Sequence, residues 1–315
     1  MQHDQRATPV LARPLVVAAL AIACNVLWGS AIPFINLGYR LFAIPSGETA
    51  SQILFAGCRF FLAGLLTIAF ASMPARRLVR PARRNLHMVA VLAMLQTILQ
   101  YVLFYIGVAR TTSVKATIIQ GLGAFVSILI ACYVFRSERM NRLKWLGGVL
   151  GVAGVVLVNL DGTGLSGSLR LTGEGCLLLS MIASACSAGA IKNFSQREDP
   201  VALSGWQFML GGAVMAAGGL LLGGRLHPAH WGAAAVLGYL AALSAIAYTV
   251  WSMLLKYNPV SRIAPYMFLQ PIFGVALSLL LYPGEPAPLA RYGAALVLVC
   301  ASIVIISRAQ HKGSH

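Results

Sequence analysis

Residues 115 to 138 read K-ATIIQGLGAFVSILIACYVF-R-S-E, twenty residues without a charge between Lys115 and Arg136. A helix of that length, rising 1.5 Å per residue, spans about 30 Å, the hydrocarbon thickness of a bilayer. The same design returns 147 positions later as Arg262, twenty uncharged residues from Ile263 to Tyr282, and Glu285. Lys115 then corresponds to Arg262, Glu138 to Glu285 and Trp145 to Tyr292. Further apolar segments of similar length surround the two copies. The chain is read as a duplicated, all-α polytopic membrane protein.

Composition agrees. Charged residues make up 10% of the chain, against about 25% in an ordinary soluble domain. The 31 glycines suit membrane helices, whose backbones approach closely at small residues. A net charge of +16 raises nucleic acid as a partner. The basic residues nevertheless sit in short gaps between apolar runs, where they set topology, and no nucleic-acid role is expected. The run from Pro14 is too long for a signal-peptide core and is read as a retained first span. Six cysteines all fall inside apolar segments, none at metal-knuckle spacing, so neither a metal site nor a cofactor is expected.

Ten spans are drawn, at about 14–37, 51–73, 87–107, 114–135, 143–160, 171–192, 202–223, 231–252, 262–282 and 290–307. With the N-terminus cytoplasmic, seventeen Lys and Arg residues fall inside and six outside; this asymmetry fixes orientation, with both termini cytoplasmic. Five spans per half is an odd number, so the second half enters from the opposite side. The units 14–160 and 171–308 are therefore expected to be inverted five-helix repeats related by an axis in the membrane plane. Gly147, Gly148, Gly151 and Gly154 put small residues along one side of span five, a face for helix packing or for a homodimer.

Polar residues inside spans face a bundle interior or a cavity, because hydrocarbon cannot satisfy them. Gln96 and Gln100 are four apart and expected on one helix face. Their readings, packing specification or a substrate path, both stay open. Tyr101 maps onto Tyr248 at the repeat offset, and the two are placed toward opposite membrane faces. Gln120 is followed by Gly121 and Gly123, and Tyr266 and Gln270 are four apart before Pro271. Pro271 removes an i→i−4 bond and is read as a hinge that frees backbone acceptors. Trp28 and Trp251 lie deep enough to wall a pocket. Arg59 is the one charge well inside a span and is expected to snorkel or to clamp carbonyls of a neighbouring helix. No Asp or Glu falls in the middle of a span, which disfavours a carboxylate proton relay.

The stretches LWGSAIPFINLG (27–38), FAGCRFFLAGLL around Arg59, SVKATIIQGLGAFVSILIACYVFRSER, and NPVSRIAPYMFLQPIFGVALSLLLYPGE (258–285) together resemble the drug/metabolite transporter superfamily, EamA type. The resemblance covers residues 14–308. It implies ten transmembrane helices in two inverted repeats within a bacterial inner membrane, and a central cavity lined by spans 1, 3, 4, 6, 8 and 9. Carried over, it selects Trp28, Gln96, Gln100, Gln120, Tyr248, Tyr266 and Gln270 as substrate-binding positions. The chain departs from the family in span four, where Gly123-Ala124 stands opposite Gln270-Pro271.

The expected function is a secondary transporter exporting amino acids or similar small metabolites by alternating access. A multidrug or quaternary amine exporter and an uptake permease are the alternatives. A small-molecule substrate and membrane lipid are the expected partners, with proton coupling and facilitated diffusion both open. A membrane enzyme would need convergent His, Asp or Glu at one face, and a channel would need charged rings or a carbonyl filter. The sequence offers neither.

Overall fold

The computed structural model describes residues 10–136, 140–159, 171–229, 231–258, 263–283 and 288–312. Arg262, Glu138 and Glu285, three anchors of the repeat reading, lie outside the described residues. Their regular secondary structure is all helical, with no strand among the described residues. Among the described residues eight helices are long and apolar enough to cross a membrane: Pro14–Leu41, Thr49–Met73, Arg83–Ala109, Ser113–Val134, Thr172–Ile191, Pro200–Leu221, Gly232–Trp251 and Leu289–Ile306. The helix Arg142–Asn159 and the shorter apolar helix Tyr266–Leu281 stand where the sequence reading expects the other two spans.

The regular segments are α1 (Pro14–Leu41), α2 (Thr49–Ala75), α3 (Leu86–Leu92), α4 (Gln100–Ala109), α5 (Ser113–Gln120) and α6 (Gly123–Leu129). They continue as α7 (Arg142–Asn159), α8 (Cys176–Phe194), α9 (Pro200–Leu221), α10 (Gly232–Tyr257), α11 (Leu269–Leu281) and α12 (Leu289–Lys312). Local chemistry sets several starts. Pro200 opens α9, where a missing amide proton costs nothing, and the Asp199 carboxylate accepts from Val201 N at 2.8 Å. Thr112 caps α5 by accepting from Lys115 N at 3.3 Å.

Four spans depart from uniform winding; the sixth opens with a π segment, Leu171–Gly175, and the fourth ends in one, Ile130–Val134. The third passes through a π segment, Ala93–Leu99, between α3 and α4. The fourth breaks at Gly121–Leu122 between α5 and α6, where Gly121 N reaches Ile118 O at 3.1 Å and Leu122 N reaches Ile119 O at 3.0 Å. The ninth begins as a 3-10 segment, Ala264–Phe268, before α11. The missing proline of span four thus does not leave that span straight: two nearby glycines and tight i→i−3 turns interrupt it instead.

Glycine decides the closest helix contact. A Cβ at Gly57 would lie 2.2 Å from Ala216 N, and one at Gly64 would lie 2.4 Å from Met209 N. On the facing helix, a Cβ at Gly212 would meet Phe61 N at 2.2 Å and one at Gly219 would meet Leu54 N at 2.6 Å. Numbers rise along α2 as they fall along α9, so the two pack antiparallel with backbones nearly touching. The glycine stripe of span five is used in the same way. Gly147 and Gly151 pack against Ile306 and Ser302, and Gly154 against Val299, all on α12 of the same chain. The stripe therefore serves packing within the chain, and a homodimer has no claim on it.

Candidate functional site

The centre of the bundle is aromatic. Trp28 on α1 meets Tyr248 and Trp251 of α10 edge to face, with ring centroids 5.5 and 5.1 Å apart. The Tyr248 hydroxyl bonds the Tyr101 hydroxyl of α4 at 2.6 Å. The expectation that these tyrosines sit toward opposite faces is corrected: each long side chain reaches inward from its own helix, and the hydroxyls meet. Tyr101 lies against Phe60 at 4.1 Å between centroids, and Phe60 against Phe208 at 5.5 Å.

The Gln270 backbone meets α1 at Gly29, the residue after Trp28, through a close approach. A Cβ at Gly29 would lie 2.7 Å from the Gln270 carbonyl oxygen, so only glycine lets α1 and α11 come together there. Gln270 and the buried Pro271 occupy the first turn of α11, directly after the 3-10 segment that carries Tyr266. The i, i+4 alignment of Tyr266 with Gln270 presumes continuous α winding, and the winding changes between them at Leu269. Tyr266 instead packs with Trp251 against Val17, Ala21, Leu254 and Ile263.

The third span separates the two glutamines that the sequence places on one face. Gln96 lies inside the π segment, whose i→i+5 bonding widens the turn. Its amide oxygen accepts from Gln207 Nε2 of α9 at 2.6 Å, and Thr97 donates to Gln207 Oε1 at 2.9 Å. Gln96 thus faces a helix contact. Gln100, past the π segment, keeps a buried Oε1 with no hydrogen-bond partner among the described residues.

Other buried polar atoms share that condition: Asn25 Oδ1 and Trp28 Nε1 on α1, Gln120 Oε1 at the end of α5, Gln52 Oε1 on α2 and Arg291 Nε on α12. Asn25 lies three residues before Trp28, on the same side of α1. The sequence reading omits Asn25, although an amide in a lipid-length helix is the same signal that selects the glutamines. Buried polar groups are ordinarily paired, so the unpartnered atoms of Asn25, Trp28, Gln100 and Gln120 are candidates for holding a polar ligand.

Arg59 is 2% exposed and clamps a neighbouring helix. Its Nε reaches Leu240 O at 3.2 Å, Nη2 reaches Ser244 Oγ at 2.9 Å, and Nη1 reaches Tyr105 Oη at 2.7 Å. Of the two expected behaviours, clamping is what occurs; the partners are neutral hydroxyls and a carbonyl. Tyr105, Ser244, Thr97 and Gln207 are polar partners the sequence reading misses. A signal for Gln207 exists: C-R-F-F-L-A-G (58–64) aligns with W-Q-F-M-L-G-G (206–212) at an offset of 148, setting Gln207 opposite Arg59. One ion pair stands away from this centre, where Lys115 Nζ meets Glu174 Oε1 at 2.8 Å and joins the starts of spans four and six.

The chain resembles known transporters along most of its length. An uncharacterized transporter of Synechocystis is 28% identical over 64% of this chain, and the match spans 65% of that protein. The inner membrane transporter YedA of Escherichia coli is 26% identical over 84% of this chain and 81% of its own length. A solved crystal structure superposes with a TM-score of 0.64, covering 96% of this chain and 99% of that one at 15% identity, a likeness of fold. Residues 15–160 and 171–308 match the EamA-like transporter family, and with an all-helical bundle built around an aromatic, amide-lined centre the chain belongs to that family.

Proposed function

We propose that this membrane transporter is a secondary carrier that exports amino acids or similar small metabolites by alternating access. The observation that carries the reading is the set of unpartnered buried atoms, Asn25 Oδ1, Trp28 Nε1, Gln100 Oε1 and Gln120 Oε1, together with the Trp28–Tyr248–Trp251 corner. Three acceptors and one donor suit a substrate with an ammonium or amide group, and the rings suit its apolar part. Trp28, Gln100, Gln120, Tyr248, Tyr266 and Gln270 then line the path, while Gln96 acts through Gln207. The interruptions of spans four and nine supply bending points, with Pro271 the hinge of the latter.

Ten spans in two inverted repeats, 14–160 and 171–308, are part of this proposal. Its support is that residues meet their own counterparts. Tyr101 bonds Tyr248 at the 147 offset, and Phe60 stacks near Phe208 at the 148 offset. A two-fold axis brings equivalent residues together in this way, and antiparallel α2 and α9 require that axis to run across the helices. Reagents added from outside should then label cysteines placed in 161–170 and not in 76–84; the first segment lies outside the described residues. Labelling of 76–84 from outside would overturn the orientation.

A specific observation favours a second reading, export of quaternary amines. Trp251 and Tyr248, with ring centroids 5.1 and 5.5 Å from that of Trp28, join it in offering ring faces that attract an organic cation. A thermal-shift screen against amino acids, nucleosides, organic acids and quaternary amines, followed by counterflow in vesicles, separates the readings. Saturable counterflow of an amino acid supports the first, and that of a quaternary amine alone supports the second. Substrate-independent conductance would remove both.

A further inference from the structure

At the end of the bundle where arginines gather, a cleft of about 1140 Å³ opens between α2, α9 and α10. Phe70, Leu78, Met253 and Tyr257 line it, and all four are exposed large hydrophobic side chains. Arg77 and Arg80 line it as well, with exposed Arg76, Arg83, Arg84 and Arg197 close by in the chain. No carboxylate stands within ion-pair distance of Arg77 or Arg80 among the described residues.

Two acidic residues, Glu198 and Asp199, also line the cleft, and both are already engaged. Glu198 Oε1 accepts from Ala82 N at 3.0 Å and from Asn85 Nδ2 at 2.6 Å. Asp199 Oδ1 caps α9 at Val201 N. These bonds, with Val79 N on Ser72 Oγ at 3.0 Å and Trp206 Nε1 on Val79 O at 2.9 Å, fasten the segment 76–85 across the helix ends. The two arginines are therefore carried by an anchored strap rather than by a free loop.

An apolar wall under a fixed cationic rim fits an amphiphile with an anionic head. We infer that this cleft binds an anionic phospholipid, its phosphate between Arg77 and Arg80 and an acyl chain along Phe70, Met253 and Tyr257. The acyl chain covers side chains that would otherwise face the bilayer unevenly, and the phosphate neutralises charges that the strap holds together. The strap joins spans two and three, so an occupied cleft ties lipid charge to the ends of α2 and α9, the two helices that pack through glycines. The site lies apart from the aromatic centre and does not depend on the substrate proposed there.

The test uses the purified full-length chain in neutral detergent, followed by thermal unfolding and by native mass spectrometry. Phosphatidylglycerol should bind roughly thirtyfold more tightly than phosphatidylcholine, at about fivefold per arginine. That preference should fall below about threefold in an Arg77→Gln/Arg80→Gln variant. Ala71→Trp, which fills the cleft without touching a charge, should reduce retained lipid of both kinds. Glycerol phosphate and inorganic phosphate should stabilise little, since they lack the chain. An undiminished preference in the double arginine variant, or equal stabilisation by phosphate alone, would overturn the inference. So would equal retention of phosphatidylcholine by the wild type, and binding of an acidic peptide in preference to the lipid would assign the rim to a protein partner instead.

Discussion

Arg59 and Gln207 occupy corresponding places in two related stretches, and their partners correspond too. Arg59 reaches Ser244, and Gln207 reaches Thr97, which lies 147 residues before Ser244. Both contacts run from a helix of one stretch to a helix of the other, so each closes the bundle from its own side. Their chemistry differs. Gln207 presents a donor and an acceptor that Gln96 and Thr97 balance with one bond each. Arg59 presents only donors and a charge, and three neutral oxygens must share them. A bundle with matched halves can thus carry unmatched fasteners, and the charged one should bear the larger consequence when removed.

The largest effect is expected for Arg59→Ala. It leaves a cavity and strips Tyr105, Ser244 and Leu240 of a charged donor, a loss of more than about 3 kcal/mol that should lower folded yield. Unchanged yield and melting temperature, with substrate affinity down tenfold or more, would show instead that Arg59 acts in recognition. Arg59→Gln sharpens the comparison, since it converts one fastener into the chemistry of the other and should recover part of the lost stability.

Gln207→Leu should cost less, about 1–2 kcal/mol, because it leaves Gln96 Oε1 and Thr97 Oγ1 unpaired without removing a charge. Melting curves of Gln207→Leu and Arg59→Ala, measured side by side, test the ranking. Equal losses would mean that the charge contributes nothing beyond an amide.

Tyr248→Phe and Tyr101→Phe remove opposite ends of one hydroxyl bond, where membrane-bundle hydrogen bonds average about 0.6 kcal/mol. The double variant should cost about as much as either single change alone, because both remove the same bond. Full additivity of the two losses would show that the 2.6 Å contact couples nothing.

Gln270→Leu is expected to leave stability nearly unchanged and to weaken substrate binding about two- to tenfold, the worth of one neutral hydrogen bond. Pro271→Ala restores a backbone donor in the first turn of α11 and should shift the balance between inward- and outward-open states more than affinity. Calorimetry on both variants and transport in vesicles check these outcomes. Wild-type binding by Gln270→Leu would take Gln270 off the path.

Much of the architecture was legible along the chain. Hydropathy adds up residue by residue, so the uncharged run after Lys115 announces a membrane helix whatever it later packs against. Gly147, Gly151 and Gly154 likewise announce a close contact before its partner on α12 is known. Prediction failed where winding was assumed. Gln96 and Gln100 share a face only in a regular α-helix, and the π segment 93–99 turns Gln96 toward Gln207. Asn25 carries the same signal as Gln120, a lone amide within a lipid-length helix.

The sequence by itself determined that the chain is a membrane-embedded helical bundle of the EamA-like family, because the bilayer penalises each unpaired polar group wherever it falls. Tertiary structure decided which polar groups find partners and which do not. Whether an amide fastens two helices, as at Gln207, or keeps an open valence, as at Gln100, depends on a neighbour more than a hundred residues away or on its absence. That neighbour is set by how whole helices dock through glycine seams and by where their winding slips. A count of residues along one helix contains neither quantity.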